Sequence, residues 1–210
     1  MIVFPDPSEA DDDGLVAVGG NLEPDNLLAA YRQGIFPWSE CPITWWSPDP
    51  RGIFELARFR ASRRLLRKMR QEKFVFTRDQ AFEEVIRACA EPRADDGGAW
   101  LGKQLIDAYI RLHQLGHAHS VECWYEQKLV GGIYGVALGG LFAGESMFSR
   151  VSDGSKMALT YLVQHLSARG FELFDVQATN AHTISLGAID IPREEYLLRL
   201  SQALAIDARF

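Results

Sequence analysis

The sequence is poor in cysteine: Cys41, Cys89 and Cys123 are the three in 210 residues, an odd number with no CxxC pair. That excludes a disulfide-stapled scaffold and a cysteine metal cluster, and it fits a reducing compartment. No apolar run approaches the roughly 18 residues that span a bilayer. Met1 to Asp13 has neither the basic start nor the apolar core of a secretion signal, so a soluble, cytoplasmic protein with no membrane partner is expected. Internal repeats and low-complexity tracts are missing too. So are a nucleophile elbow, a phosphate loop and an HExxH pair, which leaves covalent serine or cysteine chemistry without support. What the chain does have is 47% hydrophobic and 11% aromatic content, enough for a sizeable core.

A net charge of -6 would argue against a polyanionic partner if it were evenly spread. It is concentrated instead. Residues 1–57 carry ten acids against two bases, residues 58–78 nine bases against one acid, and residues 79–210 seventeen acids against eleven bases. Within the basic block, ASRRLLRKMRQEK places Leu65, Leu66 and Met69 at helical spacing among Arg60, Arg63, Arg64, Arg67, Lys68 and Arg70. Such a block is either a solvated helix face or a phosphate-binding patch. With Glu72 its single acid there is almost no internal pairing, and the aromatic loop just before it would supply stacking for unpaired bases.

Composition changes near residue 60, and two units are expected: residues 1–60 as a small N-terminal domain, and residues 61–210 as a larger one that begins with the basic helix 61–73. In the first unit, Pro24 opens a helix over DNLLAAYRQ that Gly34 closes. The following IFPWSECPITWWSPDPRGIF packs Trp38, Trp45, Trp46 and four prolines together, which reads as an irregular loop and as either a satellite core or a stacking surface. In the second unit, helical periods cover 79–90 and 101–116, with a short strand KFVFT before them. From His117 the period shortens to two, giving three meander strands up to Ser149. A helix over 153–168, the strand FELFDVQ and a last helix from Pro192 complete an α+β fold that resembles the N-acetyltransferase architecture.

Three groupings could carry chemistry. Alternation along FELFDVQ projects Asp175 and Gln177 together, and Glu145 of GESMFSR would approach them if the two strands are neighbours. The result is either an acid-rich cleft for a cationic substrate or a set of strand-end caps. The stretch SRVSDGSK joins a strand to a helix, where that architecture holds a pyrophosphate, yet the expected glycine pattern is missing; a helix cap is the alternative. His117, His119 and Cys123 look superficially like zinc ligands without a fourth partner, so no metal is expected.

Taken together, GLVAVGGNL, AYRQGIFPW, WWSPDPR, LGHAHSVE, LVGGIYGV, LFAGESMFSR, the D-V-Q of FELFDVQ and HTISLGA followed by IPR resemble the leucyl/phenylalanyl-tRNA-protein transferases. The likeness runs from about Phe4 to Leu200, and the chain stops at Phe210, short of the tail that many members carry. The resemblance implies an acetyltransferase-like domain that uses aminoacyl-tRNA without a cofactor. It implies transfer of leucine or phenylalanine, and less efficiently methionine, to proteins beginning with Arg or Lys, marking them for N-degron degradation. Matched motif by motif, it puts Asp175 and Gln177 on the catalytic pair and Glu145 on the acid of GESMFSR. Tyr31, Trp38, Trp100 and Tyr109 fall near the terminal adenosine and ester; Ile133, Phe142, Leu159, Leu162 and Phe174 fall in the side-chain pocket, with Asn180 and His182 following the catalytic strand. The basic helix would meet tRNA, and the expected oligomeric state is monomer. A coenzyme A acyltransferase and a non-catalytic RNA-binding protein are the competing readings.

Overall fold

The computed structural model describes residues 2–71, 73–92 and 101–210. After a short turn of helix at Pro7–Glu9, the first unit contains β1 (Leu15–Val18), α1 (Pro24–Arg32), β2 (Phe36–Glu40) and β3 (Ile43–Trp46). The rest follows as β4 (Arg51–Phe54), α2 (Arg63–Gln71), β5 (Phe74–Arg78), α3 (Phe82–Cys89), α4 (Lys103–Gln114), β6 (Ala118–Tyr125), β7 (Lys128–Leu138) and β8 (Leu141–Ser149). The chain then runs through α5 (Gly154–Ala168), β9 (Leu173–Gln177), α6 (Ala181–Ser185), β10 (Ala188–Ile191) and α7 (Arg193–Leu204). The expected α+β class holds.

Two sheets form, a three-stranded β1-β3-β2 and a seven-stranded β10-β4-β9-β8-β7-β6-β5. Every recorded pairing is antiparallel except that of β8 with β9. The parallel pair follows from its crossover: α5 returns the chain across one face, so β9 starts at the same end as β8.

Two expectations need correction. The Pro-rich segment expected as a loop contains β2, β3 and β4. Its prolines tolerate this because β2 is an edge strand, where Pro37 lacks no needed ladder donor, and the other three sit in connections. The boundary at residue 60 also falls too late, since β4 is an interior strand of the large sheet, paired on either side with β10 and β9. The small unit ends before Arg51. Nor does that unit have a core of its own: Leu27, Phe36 and Trp45 share one buried cluster with Val85, Leu105, Tyr109 and Tyr134. On the opposite face of the large sheet α5 covers Val121, Ile133, Phe142 and Phe174, while α7 packs Tyr196 and Leu200 against Ile53 and Leu173.

The tryptophans divide between the two roles foreseen for them. Trp45 is buried, donates its indole N–H to the Gly19 carbonyl at 2.8 Å and meets Phe4 edge-on, whereas Trp38 remains exposed with Trp46 against it. Truncating a fully buried side chain should show how far α4 supports this shared core. Leu105→Ala is expected to lose about 2 to 5 kcal/mol in urea unfolding, while Leu115→Ala, exposed at the end of the same helix, should stay within about 0.5 kcal/mol.

Candidate active site

Strands β8 and β9 pair through Leu141↔Leu173, Phe142↔Phe174 and Ala143↔Asp175, and then β9 continues against β4 while β8 continues against β7. The opening between them is a cleft of about 1060 Å³. Two local irregularities turn polar side chains into it. In β8 the register with β7 passes from Gly135↔Gly144 to Tyr134↔Ser146, so Glu145 is the unpaired residue of a bulge, free to be re-aimed. In β9 the strand ends at Gln177 with φ +65°, a left-handed conformation that costs a side-chain-bearing residue about 1 to 2 kcal/mol. Simple alternation therefore fails at Gln177. Phe174 and Val176 line the cleft together with Gln177, and Asp175 points to the opposite side of the sheet.

Glu145 sits at the meeting point of three elements. Its Oε1 accepts from Tyr31 Oη at 2.7 Å and from Gln177 Nε2 at 2.8 Å, and its Oε2 accepts from Tyr109 Oη at 2.9 Å. The two phenols also lie 2.6 Å from each other. Burial raises this carboxyl to about 7 against the opposing pull of its three donors, so its protonated form is well populated at neutral pH. Burial also keeps Tyr31 and Tyr109 well above the ordinary phenol value, so both remain protonated at neutral pH.

Asp175 is buried and fully engaged. Oδ1 accepts from Arg51 Nε at 2.9 Å and from the Gln177 backbone N–H at 2.8 Å; Oδ2 accepts from Arg51 Nη2 at 2.7 Å and from Tyr196 Oη at 2.9 Å. It touches the Gln177 backbone and not the Gln177 carboxamide, which is oriented by Glu145. Arg51 and Tyr196 are the site neighbours that sequence reasoning missed. The available signal was a lone base in WWSPDPRGIF, entering an otherwise apolar strand within a segment of ten acids and two bases.

Of the residues expected at the site, Trp38, Ile133, Glu145, Leu159, Phe174, Gln177, Asn180 and His182 line the cleft. Tyr31 and Tyr109 stand behind Glu145. Phe142 and Leu162 are not among the cleft-lining residues: Phe142 backs Phe174 edge-on at 5.5 Å, and Leu162, on α5, packs in the apolar core that this helix shares with the sheet. Trp100 lies outside the described residues. Asn180 also caps α6 with a reciprocal pair of hydrogen bonds to Thr183, which fixes that end of the wall.

Ser62 caps the basic helix α2, its Oγ accepting from the Leu65 N–H. Arg63, Arg67 and Arg70 flank a shallow depression and, like Arg64 and Arg60, are exposed. Lys68 is drawn inward instead, bonding the Ser152 carbonyl at 2.8 Å and lying 3.6 Å from Asp153 at the start of α5. Elsewhere, His119 is held by Asp79 at 2.8 Å and burial pushes the Cys123 thiol up to about 12. Among the described residues no group of three His, Cys, Asp or Glu side chains is arranged to hold a metal ion.

The site is thus an apolar cleft at the parallel β8–β9 pair of an α+β sheet, ending on a hydrogen-bonded carboxyl and carboxamide. The chain belongs to a known transferase family: residues 53–201 match the model of the leucyl/phenylalanyl-tRNA protein transferases, and residues 20–49 match the model of that family's N-terminal domain. It is 54% identical over 202 residues to the leucyl/phenylalanyl-tRNA--protein transferase of Aromatoleum aromaticum, covering 94% of this chain and 85% of that one. With the enzyme of the same name from Edwardsiella ictaluri it shares 52% over 210 residues, 96% of this chain and 86% of the other. Among solved structures it is similar to L-PGS from Bacillus licheniformis, at 16% identity and a TM-score of 0.45, over 76% of this chain and 54% of that one. An aminoglycoside acetyltransferase from an uncultured soil metagenomic sample aligns at 16% identity and a TM-score of 0.38, over 65% of this chain and 90% of the other. The chain is thus an aminoacyltransferase of tRNA-dependent transfer to proteins.

The raised Glu145 carboxyl has a sign that can be checked. Because its folded value lies above the ordinary 4.5, its contribution is fully present below about 4.5 and is lost as pH rises through about 7. The stability difference between the wild type and Glu145→Gln should therefore fall steadily over that window, by at most about tenfold in folding constant per pH unit. A flat difference in urea titrations from pH 4.5 to 8 would show that Glu145 is not held protonated.

Proposed function

We propose that this protein transfers leucine or phenylalanine, and less efficiently methionine, from aminoacyl-tRNA to the α-amine of proteins beginning with Arg or Lys, marking them for N-degron degradation. It works in the cytoplasm as a monomer and without an added cofactor. The single observation that carries this reading is the cleft in which an apolar wall of Ile133, Leu159 and Phe174 runs into the Gln177–Glu145 pair, with the exposed indole of Trp38 at its edge.

The chemistry asks little of the protein. An α-ammonium has a pKa of about 7.7 to 8.0, so roughly a tenth is already free amine at neutral pH, and the aminoacyl ester is activated. Rate then comes largely from holding amine and ester carbonyl in contact. With Nε2 donated to Glu145, the Gln177 Oε1 is left to accept an N–H of the attacking amine. As the C–N bond forms and the C–O bond to the ribose breaks, the amine's proton ends on the released ribose hydroxyl; Gln177 is too weak a base to keep it, and Asp175 acts on the Gln177 backbone rather than by a relay through its carboxamide. The apolar wall selects side chains unbranched at Cβ by shape. Since one methylene discriminates by only about 1 to 3 kcal/mol, the preference among Leu, Phe and Met is graded. Trp38 offers a stacking face for the terminal adenine, and Arg63, Arg64, Arg67 and Arg70, together with Arg60, meet tRNA phosphates. Lys68, already satisfied by the start of α5, contributes to the position of α2.

Labelled Leu-tRNA and a peptide with N-terminal Arg should give labelled peptide with no other addition, and peptides beginning with Asp or Gly should not. Absence of transfer overturns the proposal; transfer from an acyl coenzyme A in its place points to the competing acyltransferase. Gln177→Ala should lower turnover by roughly a hundredfold with either charged tRNA or aminoacyl-adenosine as donor.

Reversing Arg63, Arg64 and Arg67 together should raise KM for charged tRNA and flatten its log–log salt dependence by about one unit for each phosphate that is no longer neutralised. KM for an aminoacyl-adenosine should not move. Equal impairment of both donors would make α2 a structural rather than a tRNA-binding element.

A further inference from the structure

Gln177 holds a backbone conformation that it would not adopt unaided, and what restrains it is the acceptor Oδ1 of Asp175 on its N–H. The position of that oxygen is in turn set from outside the cleft. Arg51 grips both oxygens of Asp175 with the Nε and Nη2 arms of its fork, and Tyr196 adds a second donor to Oδ2. The guanidinium is itself immobilised. Its Nη1 donates to the Gly34 carbonyl at 2.8 Å, and its plane lies between the Phe36 ring at 4.8 Å and the Tyr196 ring at 4.2 Å from the centroids. Arg51, Asp175 and Tyr196 are each about 1% exposed, so no water is at hand to replace a lost donor.

We propose that Arg51 and Tyr196 are positioning residues for the transfer reaction, acting through Asp175 to fix the Gln177 backbone and thereby aim its carboxamide between Glu145 and the attacking amine. The inference rests on the function proposed above for the Gln177 role, but the clamp itself is a statement about a backbone amide. Arg51 on β4 and Tyr196 on α7 converge on one carboxylate two residues before Gln177, and the Gly34 carbonyl after α1 holds the free arm of Arg51. Any buried ion pair needs its remaining acceptor sites filled; what points to alignment of Gln177 is that one acceptor direction of Asp175 is spent on the N–H of the residue with the left-handed backbone. The saturation of all four acceptor directions leaves Asp175 none to offer a substrate.

The test compares Tyr196→Phe, which keeps the ring over Arg51 and removes one donor, and Arg51→Lys, which keeps the charge and removes the fork, with Leu200→Ala on the same helix. Leu200 is buried but takes no part in the hydrogen-bond network, so it controls for weakened packing. With aminoacyl-adenosine as donor, kcat should drop about tenfold in Tyr196→Phe and by about a hundredfold in Arg51→Lys, with KM changed by less than about threefold. Leu200→Ala should lower the melting temperature and spare kcat. Amide hydrogen exchange at Gln177, followed by NMR, should be at least about tenfold faster in the two clamp variants than in Leu200→Ala. If Arg51→Lys fails to fold, Tyr196→Phe decides alone.

Protection of the Gln177 amide and kcat that move no more in the clamp variants than in Leu200→Ala would overturn the proposal and leave the cluster a structural ion pair. If the wild type transferred nothing from charged tRNA, the function proposed above would fall, whereas the exchange measurement would still decide whether the clamp controls Gln177.

Discussion

The buried pair of Arg51 and Asp175 is the interaction on which the arrangement of the molecule turns. Burying two opposite charges is favourable only if geometry is excellent and the leftover hydrogen-bonding sites are filled, and here both conditions are met: two parallel N–H···O bonds, a tyrosine on Oδ2 and a backbone amide on Oδ1. Burial works against the charge on Arg51, and the neighbouring Asp175 outweighs it, so the guanidinium stays charged. Removing either partner would strand the other in a dry interior, a loss of about 3 to 5 kcal/mol. The third arm of Arg51 holds the carbonyl of Gly34, so the same residue that locks β4 to β9 also ties the end of α1 to the large sheet. Fold and site therefore share one fastening. The N-terminal unit, which corresponds to a family model of its own, is joined to the rest by this fastening and by a common apolar core.

On the other side of β9, the half-buried carboxyl of Glu145 behaves in the opposite way. Asp175 meets a permanent cation; Glu145 meets two phenols and a carboxamide, all neutral. Neutral donors offset only part of the desolvation, and Glu145 ends near neutrality in its titration, at about 7. Two acids across one strand thus take different roles from their surroundings alone. An ammonium or guanidinium entering the cleft would favour ionised Glu145 by direct attraction, so binding of a cation there and loss of the proton from Glu145 would be thermodynamically coupled. The cleft carries its negative charge most fully when a cation occupies it.

Much of the fold can be read from pattern. The helices of the larger unit announce themselves by a 3.6 period, and Gly116 and Gly170 follow the ends of α4 and α5 with positive φ, which glycine alone adopts freely. The meander β6–β8 follows from its shorter period. What escapes pattern is short or irregular. Strand β2 hides its Pro37 because an edge strand forgives it, β3 is a four-residue strand set between prolines that lie in its connections, and β10 and α6 are four and five residues long, too brief for a period to show. At the site, Glu145, Gln177 and Asp175 are legible from strand neighbourhood, but the side of the sheet each faces is not. Alternation assigns Asp175 and Gln177 to one face, and a bulge at Glu145 and a positive φ at Gln177 redirect them. Arg51 is illegible for a further reason: arginine is read as a surface residue unless its partner is known, and that partner is 124 positions away.

Charge distribution connects the two substrate-binding regions proposed for this protein through one helix. The exposed arginines of α2 cannot act on the cleft directly, since neither Arg63, Arg64, Arg67 nor Arg70 lines it. Yet α2 is seated on α5, where Lys68 is bound to Ser152 and Asp153 at the turn that starts the helix. One turn further along, Ser155 and Leu159 of α5 form part of the cleft wall, and the N–H of Ser155 is held by Ser149 at the end of β8, the strand that carries Glu145. A polyanion lying on α2 is thereby registered against the wall through rigid elements rather than through a linker. That is what the proposed donor, with its reactive ester at the tip of a long charged molecule, would require: phosphates on α2 would supply affinity indifferent to the aminoacyl group, and the spacing fixed by α5 would bring that group to the apolar wall for the choice among side chains.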